Sequence, residues 1–413
     1  MAAETVKRPR PRAVAMLIQS FFPAVGGAER QALELSRSLT ARGVAVTVIT
    51  RRLPGTLPLE EMGGVRVLRL SCPGPGVLGT FMFMAGAFIH LLRKGSAYEV
   101  VHVHLASSHA VAALLASRFT GSRTFVKLAD GKAQNEITLS RGTLPGRLKL
   151  AFFRTAKPSL MVLNTEVLDW LKGQPGFGGF RLIPFRNGVD TSRYSPPLYQ
   201  EKLNAKAALG LGNSLVFLFV GRLDPKKRVR ELVESWAGVL QEKGAGSEPR
   251  LVIVGTGGEA AAVGGAVEAL GLSSSVLLAG MQEDLRPYYR AADVFILPSI
   301  AEGLSNSMLE AMSSGLAVLA SRVGGAREAV AEGENGLLFD PLNRGELKGH
   351  ILKFIAEPSL SVRMGERSRE VAVSRYSMAR VTDDLLDIYA GAEPAGHGAP
   401  GADRGEGRPG PEA

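Results

Sequence analysis

At 413 residues and 45% apolar content, the chain is long enough for two ordinary domains, each with a sizeable core. Its single cysteine, Cys72, excludes an internal disulfide and any cysteine-rich metal site, which suits a reducing compartment. The net charge of +10 is unevenly placed, with 26 Lys and Arg against 11 Asp and Glu in residues 1–195 and 23 against 28 in the rest; a basic first half without interleaved aromatics or a recognisable binding motif suits an anionic membrane face, an anionic substrate or plain solubility better than nucleic acid.

Residues 1–12 form a basic, Pro-rich arm. The apolar run that follows is too short for a signal-peptide core, so a cytoplasmic location is expected. AVAMLIQS, 13–20, reads as a buried strand, followed by a turn with Gly26 and Gly27, an amphipathic helix to Ala41, a stop at Gly43 and a strand at 45–50. Strand, Gly-rich turn, helix and strand make a Rossmann-like opening, although the turn lacks a full G-x-G-x-x-G. VLGTFMFMAGAFIHLL, 77–92, is the most hydrophobic stretch. At about sixteen residues it falls short of a bilayer span, and Arg93-Lys94 ends it, which leaves a buried helix or one lying at a membrane interface. A strand at 98–105 places His102 and His104 on one face, with His104 nearer the carboxyl end. No Asp, Glu or Cys accompanies them at metal-ligand spacing. The strand at 124–131 ends at Asp130-Gly131, and 132–150 reads as a basic loop and helix. Pro196-Pro197 and the charged residues after them mark a boundary, with 196–214 as linker.

A second domain opens with the strand 215–220, and Arg222, Lys226, Lys227 and Arg228 crowd the turn behind Gly221. Arg222 and Lys227 are expected at the surface there. The next strand leads to Gly255, Gly257 and Gly258, a turn suited to close approach by a ligand, and SVLLAGM ends at Met281. DVFILPSIAEGLSNSMLEAMSSG, 293–315, then reads as a short buried strand, a polar turn and a helix from about Asn306, with a stop at Gly315. Ser305 or Asn306 can cap that helix, so its amide end points into the crevice at the strand's carboxyl edge. Glu302 sits in the turn beside Gly303, and Glu310 lies eight residues on. Both carboxylates can reach one polyhydroxyl ligand from different sides. Gly324-Gly325 begin another helix, a last strand falls at NGLLFDP, helices run to about 392, and the Gly/Pro/Ala-rich residues 393–413 are expected to be disordered.

The segment from Glu302, EGLSNSMLEAMSSGLAVLASRVGG, resembles the signature of the retaining glycosyltransferases of family 4, the group 1 glycosyl transferases, and the similarity runs over most of 13–392. The resemblance implies an α/β chain of the GT-B fold, with two facing Rossmann-like domains and a deep interdomain cleft. The acceptor side would be 13–195, the nucleotide-sugar side 215–375, and a carboxyl-terminal helix, 376–392, would pack back on the first domain. It assigns Glu302 with Gly303, Leu304 and Ser305 to the transferred sugar and Glu310 to the nucleotide ribose. G-R-L-x-x-x-K assigns Arg222 and Lys227 to the donor diphosphate, where Arg forks onto phosphate oxygens and Lys adds a point charge. Gly255 would lie against the nucleotide, and the Met281 backbone would meet the base. Gly26 and Gly27, in a G-G-A-E like that of the family, join the donor site from the first domain. His-x-His makes His104 a border of the reacting centre, with His102 as its structural partner. Asp130-Gly131 stands where many relatives have His-Gly, so Lys127 and Asp130 become acceptor-side candidates particular to this chain.

Glu302, Arg222, Lys227 and His104 are thus the expected catalytic set. The expected reaction moves a sugar, with retention, from a nucleotide diphosphate to a hydroxyl of a glycan, lipid-linked or small-molecule acceptor, in cell-surface polysaccharide or glycolipid synthesis. No cofactor and no metal are expected. The donor is a UDP-sugar, with a GDP-sugar as alternative, and an anionic membrane at the inner face of the plasma membrane is a further partner. Rival readings are a nucleotide-sugar 2-epimerase and a nucleotide-binding, non-catalytic GT-B protein. A Rossmann dehydrogenase lacks support, because neither half carries the full dinucleotide fingerprint.

Overall fold

The computed structural model describes residues 9–24, 26–72, 74, 76–128, 136–244 and 248–392. Asp130, the start of the basic arm and the tail 393–413 lie outside them. The chain divides into two units: one runs to Gly188 and resumes at Tyr376, and the other is Val189–Arg375. The division falls ahead of the boundary expected at 195.

The first unit is built on eight strands: β1 (Ala13–Leu17), β2 (Ala45–Arg51), β3 (Leu59–Met62), β4 (Val65–Leu70), β5 (Val100–His104), β6 (Arg123–Leu128), β7 (Ser159–Val162) and β8 (Leu182–Pro184). Their order is β3-β4-β2-β1-β5-β6-β7-β8, and all neighbours are parallel except β3 with β4. The central strands are buried along almost their whole length, as continuous apolar runs covered on both faces should be. The chain order reverses between β1 and β5, which opens a crevice beyond their carboxyl ends. The β3–β4 hairpin has no counterpart in the expected elements, because its alternating charged residues make an edge with a weak apolar signal.

Helix Met378–Tyr389 belongs to this unit and packs on helix Gly27–Thr40. Arg42 Nε donates to Asp383 Oδ1 at 2.8 Å, and the last residue, Tyr389, is fully buried. Helix Val77–Lys94 is two residues longer than the run read from sequence, and only Gly79, Phe83, Ala87 and Leu91 are buried. Those four fall at spacings of four, one stripe of a helix turned to the sheet.

The second unit has six parallel strands: β9 (Val216–Val220), β10 (Arg250–Val254), β11 (Val276–Gly280), β12 (Val294–Leu297), β13 (Ala317–Ser321) and β14 (Gly336–Phe339). Their order is β11-β10-β9-β12-β13-β14, with the reversal between β9 and β12. The expected linker, 196–214, is corrected here, since it contains helix Tyr199–Ala208. Pro196-Pro197 stop the preceding chain, but Leu198 N–H then donates to Glu201 Oε2 at 2.9 Å and starts the helix. Lys202 and Lys206 both pair with Asp293, at 2.6 and 2.9 Å, and Asp293 also accepts from the amide of Val216 at 2.8 Å. That carboxylate clamps the helix to the amino ends of β9 and β12.

Candidate functional site: two switch points

In the second unit, the turns after β9 and β12 leave the sheet side by side at the point of reversal. The first passes through Arg222 into the short 3₁₀ turn Pro225–Lys227, and the second carries Ser299 to Ser305 into helix Asn306–Ser313. Ile300 N–H donates to Lys226 O at 2.9 Å and ties the two turns together. Across that tie Lys227 Nζ forms an ion pair with Glu302 Oε1, and Ser299 Oγ donates to the same oxygen at 2.7 Å. Glu302 is only 8% exposed, and its burial is offset by a cation and a hydroxyl on one oxygen. Lys227 is therefore no surface cation, contrary to its expected place. Arg222 is one, with its side chain 73% exposed and Nε 3.1 Å from Asp224 Oδ2.

Ser305 is the helix cap, accepting from Met308 N–H at 3.3 Å. One turn into the helix, Glu310 is buried, and its Oε2 accepts from Tyr289 OH at 2.8 Å. Tyr289 meets Tyr194 edge-on, with centroids 5.6 Å apart. Gly255, just after β10, has φ +141°, and a Cβ there would lie 1.8 Å from Gly221 O. Gly324 has φ +49°, and a Cβ would lie 1.9 Å from Glu302 O. Both glycines are required by the packing of one turn on another, before any ligand is considered. Met281 follows the edge strand β11 and is 78% exposed. Arg222, Lys227, Gly255, Met281, the Glu302–Ser305 turn and Glu310 thus share the carboxyl edge of one sheet.

The first unit repeats this placement with different chemistry. Gly26 and Gly27 follow β1, and Gly26 caps helix Gly27–Thr40 in an extended conformation. His104 ends β5 and Lys127 lies beside it in β6, in register with it. Leu105, next in the chain, has φ +70°, an uncommon conformation for a residue with a side chain. His102 and His104 stack with centroids 4.6 Å apart. His102 Nδ1 is 2.6 Å from Tyr389 OH, whereas His104 Nε2 is buried without a hydrogen-bond partner among the described residues. Burial pushes His102 down to about 3 and His109 down to about 4, and burial together with the charges of His102 and Lys127 holds His104 well below the ordinary imidazole range. All three are neutral at pH 7.

Lys127 Nζ donates to Asn187 Oδ1 at 2.7 Å, and burial lowers its pKa to about 7. Lys149 Nζ donates to Ala106 O at 2.6 Å and is lowered by burial to about 8. An amine held near neutrality inside a domain can bind an anion as a cation, or a hydroxyl as a neutral donor.

Two family models match this chain: the glycosyl transferase 4-like domain over residues 26–167, and glycosyl transferases group 1 over 201–371. A D-inositol 3-phosphate glycosyltransferase of Geodermatophilus obscurus is 30% identical over 424 residues, covering 94% of this chain and 91% of that protein. The chain is a group 1 glycosyl transferase. Its fold is GT-B, with two Rossmann-like α/β units, and its donor is a nucleotide sugar. Among solved structures, sucrose-phosphate synthase of Thermosynechococcus elongatus matches the transferase with TM-score 0.76 at 21% identity, covering 92% of this chain and 98% of that one. HepE of Anabaena, solved with UDP-glucose, matches with TM-score 0.73 at 20% identity, over 91% and 98%.

Several residues at the two candidate sites were given no role from sequence. Ser299 and Tyr289 orient the two carboxylates, and Asn187 holds Lys127. Each is an ordinary polar residue whose role exists only through a partner 3 to 60 positions away. A buried carboxylate needs donors, so the sequence does announce that such partners must exist, without saying where.

Proposed function

We propose that this transferase moves a glycosyl group from a UDP-sugar to an acceptor hydroxyl with retention of anomeric configuration and without a divalent metal, in the assembly of a cell-surface glycan or glycolipid. The Lys227–Glu302–Ser299 cluster at the β9/β12 reversal carries the reading. It sets a cation, a carboxylate and a capped helix end at one strand edge, where open α/β sheets bind ligands. Arg222 and Lys227 offset the charge that develops on the departing diphosphate, helped by the amide end of helix Asn306–Ser313. Glu302 accepts from sugar hydroxyls and Glu310 from ribose hydroxyls, each held in place by a buried donor of the protein.

In this reading the acceptor oxygen attacks from the face that the diphosphate leaves, the bond from the anomeric carbon to the phosphate oxygen breaks, and that oxygen takes the acceptor proton. His104, neutral and with a nitrogen that has no hydrogen-bond partner among the described residues, serves as a hydrogen-bonding group for a sugar hydroxyl. The resemblance of Glu302 to Glu310 to a retaining family supports the stereochemistry, and HepE, solved with UDP-glucose, supports the choice of base.

The test follows transfer by NMR in excess chelator with a panel of nucleotide sugars, scoring the anomeric coupling of the first-formed linkage. An α-linked donor giving an α-linked product at undiminished rate is expected. Activity lost to chelator and restored by Mg²⁺ or Mn²⁺ overturns the metal-free reading, and an inverted centre overturns retention.

A further inference from the structure

Helices Val77–Lys94, His109–Thr120 and Leu144–Ala156 of the first unit cover one face of its sheet. Their inward residues, Phe83, Ala113 and Phe153 among them, belong to one core cluster with Val101, Val103 and Val126 of the strands. The middle helix packs against both others, so the three form one continuous layer.

The outer side of this layer is unusual in two independent respects. It is apolar: Leu78 and Phe81 are each 65% exposed, Phe119 76%, Leu144 71% and Leu148 65%. Large apolar side chains gathered on adjacent helices mark a surface that meets something other than water. It is also free of acid. The three helices hold six Lys and Arg and not one Asp or Glu. Five of those cations, Arg93, Lys94, Arg118, Arg147 and Arg154, are exposed. Glu136, on the short helix that packs against Leu144–Ala156, is partly buried.

We propose that this three-helix layer is a docking surface for an anionic lipid bilayer. The first helix is long and apolar enough to cross a membrane by length and composition, with a mean hydropathy of 1.3. Its stripe Gly79, Phe83, Ala87, Leu91 is committed to the protein core, so the helix lies on the bilayer and does not span it. Aromatic and aliphatic side chains enter the headgroup boundary while the cations meet lipid phosphates, which is how interfacial helices bind. A protein partner of this chemistry would need a matching acidic, apolar face. A bilayer offers both components over any area and so suits a layer spread across three helices.

The full-length protein is floated with vesicles of pure phosphatidylcholine and with vesicles that also contain phosphatidylglycerol. Recovery is expected with the anionic vesicles alone, falling as salt is raised. Arg118→Gln, Arg147→Gln and Arg154→Gln should each lower partition about fivefold, and together on the order of a hundredfold. Phe81→Ser with Phe119→Ser should reduce binding to the same vesicles several-fold, while Arg363→Gln, an exposed cation of the second unit, should leave it unchanged. Circular dichroism and retained nucleotide binding report that each variant is folded. Equal recovery on both vesicle types, none on either, or wild-type recovery of the folded triple variant overturns the proposal. So does a concentration-dependent dimer that Phe119→Ser abolishes, which would make a second copy the occupant.

Discussion

The two units meet the same topological problem with opposite electrostatics. Each sheet reverses its strand order once, and each places its candidate residues at that reversal. At the β9/β12 point the buried groups are carboxylates whose charge is answered: Glu302 has Lys227 and Ser299, and Glu310 has Tyr289. At the β1/β5 point the buried groups are bases made neutral by burial: His102, His104 and His109, with Lys127 near neutrality. A charged site is pre-organised to answer developing charge. A neutral, partly unsatisfied one suits an uncharged hydroxyl or a group that brings its own charge. In the proposed function the first kind of site would handle the diphosphate and the second the incoming nucleophile.

The largest expected break in that contrast is Lys227→Ala. It removes the cation proposed for the diphosphate and also strips Glu302 of its ion pair, so kcat/KM should fall by about two to three orders of magnitude, or ~3–4 kcal/mol. Melting should also drop, because a buried carboxylate loses a partner at a cost of about 1–3 kcal/mol. Arg222→Ala separates the two effects: the exposed side chain should cost about one to two orders of magnitude in rate and leave the melting temperature unchanged. Steady-state kinetics and thermal scans on both variants check this, and equal destabilisation by the two would contradict the burial difference.

A smaller effect comes from pH. The folded-state pKa values of His102 and His109 lie below that of free imidazole, so between about pH 6.5 and pH 3–4 the unfolded chain binds protons that the folded one does not. Their contribution to stability is therefore full above pH 6.5 and is lost as pH falls through that window. In the second unit the corresponding loss, for Asp284 lowered to about 2 by its hydrogen bond from Arg286, waits until pH drops below 3.8. Melting at pH 7 and pH 5 should thus show a loss that originates in the first unit. His104→Leu, which removes one of the protonatable bases, should lose less on acidification than the wild type. An identical pH dependence would place the acid sensitivity elsewhere.

The smallest effect is Tyr289→Phe. It deletes the hydroxyl that donates to Glu310 and leaves the ring against Tyr194. KM for the nucleotide sugar should rise several-fold with kcat nearly unchanged, and stability should fall by about 1 kcal/mol. A fall in kcat with constant KM would mean that Glu310 acts in the chemical step and not in holding the ribose.

The strand, turn and capped helix that carry Glu302, Ser305 and Glu310 were legible in the sequence to an unusual degree, because they form one unit whose geometry is local. A buried apolar run, a Gly beside the carboxylate and a capping Ser specify where the side chains sit before any long-range packing is considered. The parallel pairing of most strands follows nearly as directly, since strands alternating with helices need parallel crossovers. What the sequence left open are relations between distant segments. The segment 196–214 read as linker because its helix is held by Asp293, nearly ninety residues on. Lys227 read as a surface cation because its partner sits 75 residues away. The stretch 77–92 left a buried helix and one at a membrane interface open, and the packing of Phe83 and Leu91 into the core of the first unit determines which face stays outside. Residue pattern and short-range hydrogen bonding are encoded within a few positions of the chain, so sequence alone determined most of the elements and the chemistry of the local motif, though not the β3–β4 hairpin or helix Tyr199–Ala208. Burial, and with it the charge state of every histidine at the β1/β5 reversal, depends on which side chains close over a group from other strands, and that was decided by the tertiary structure.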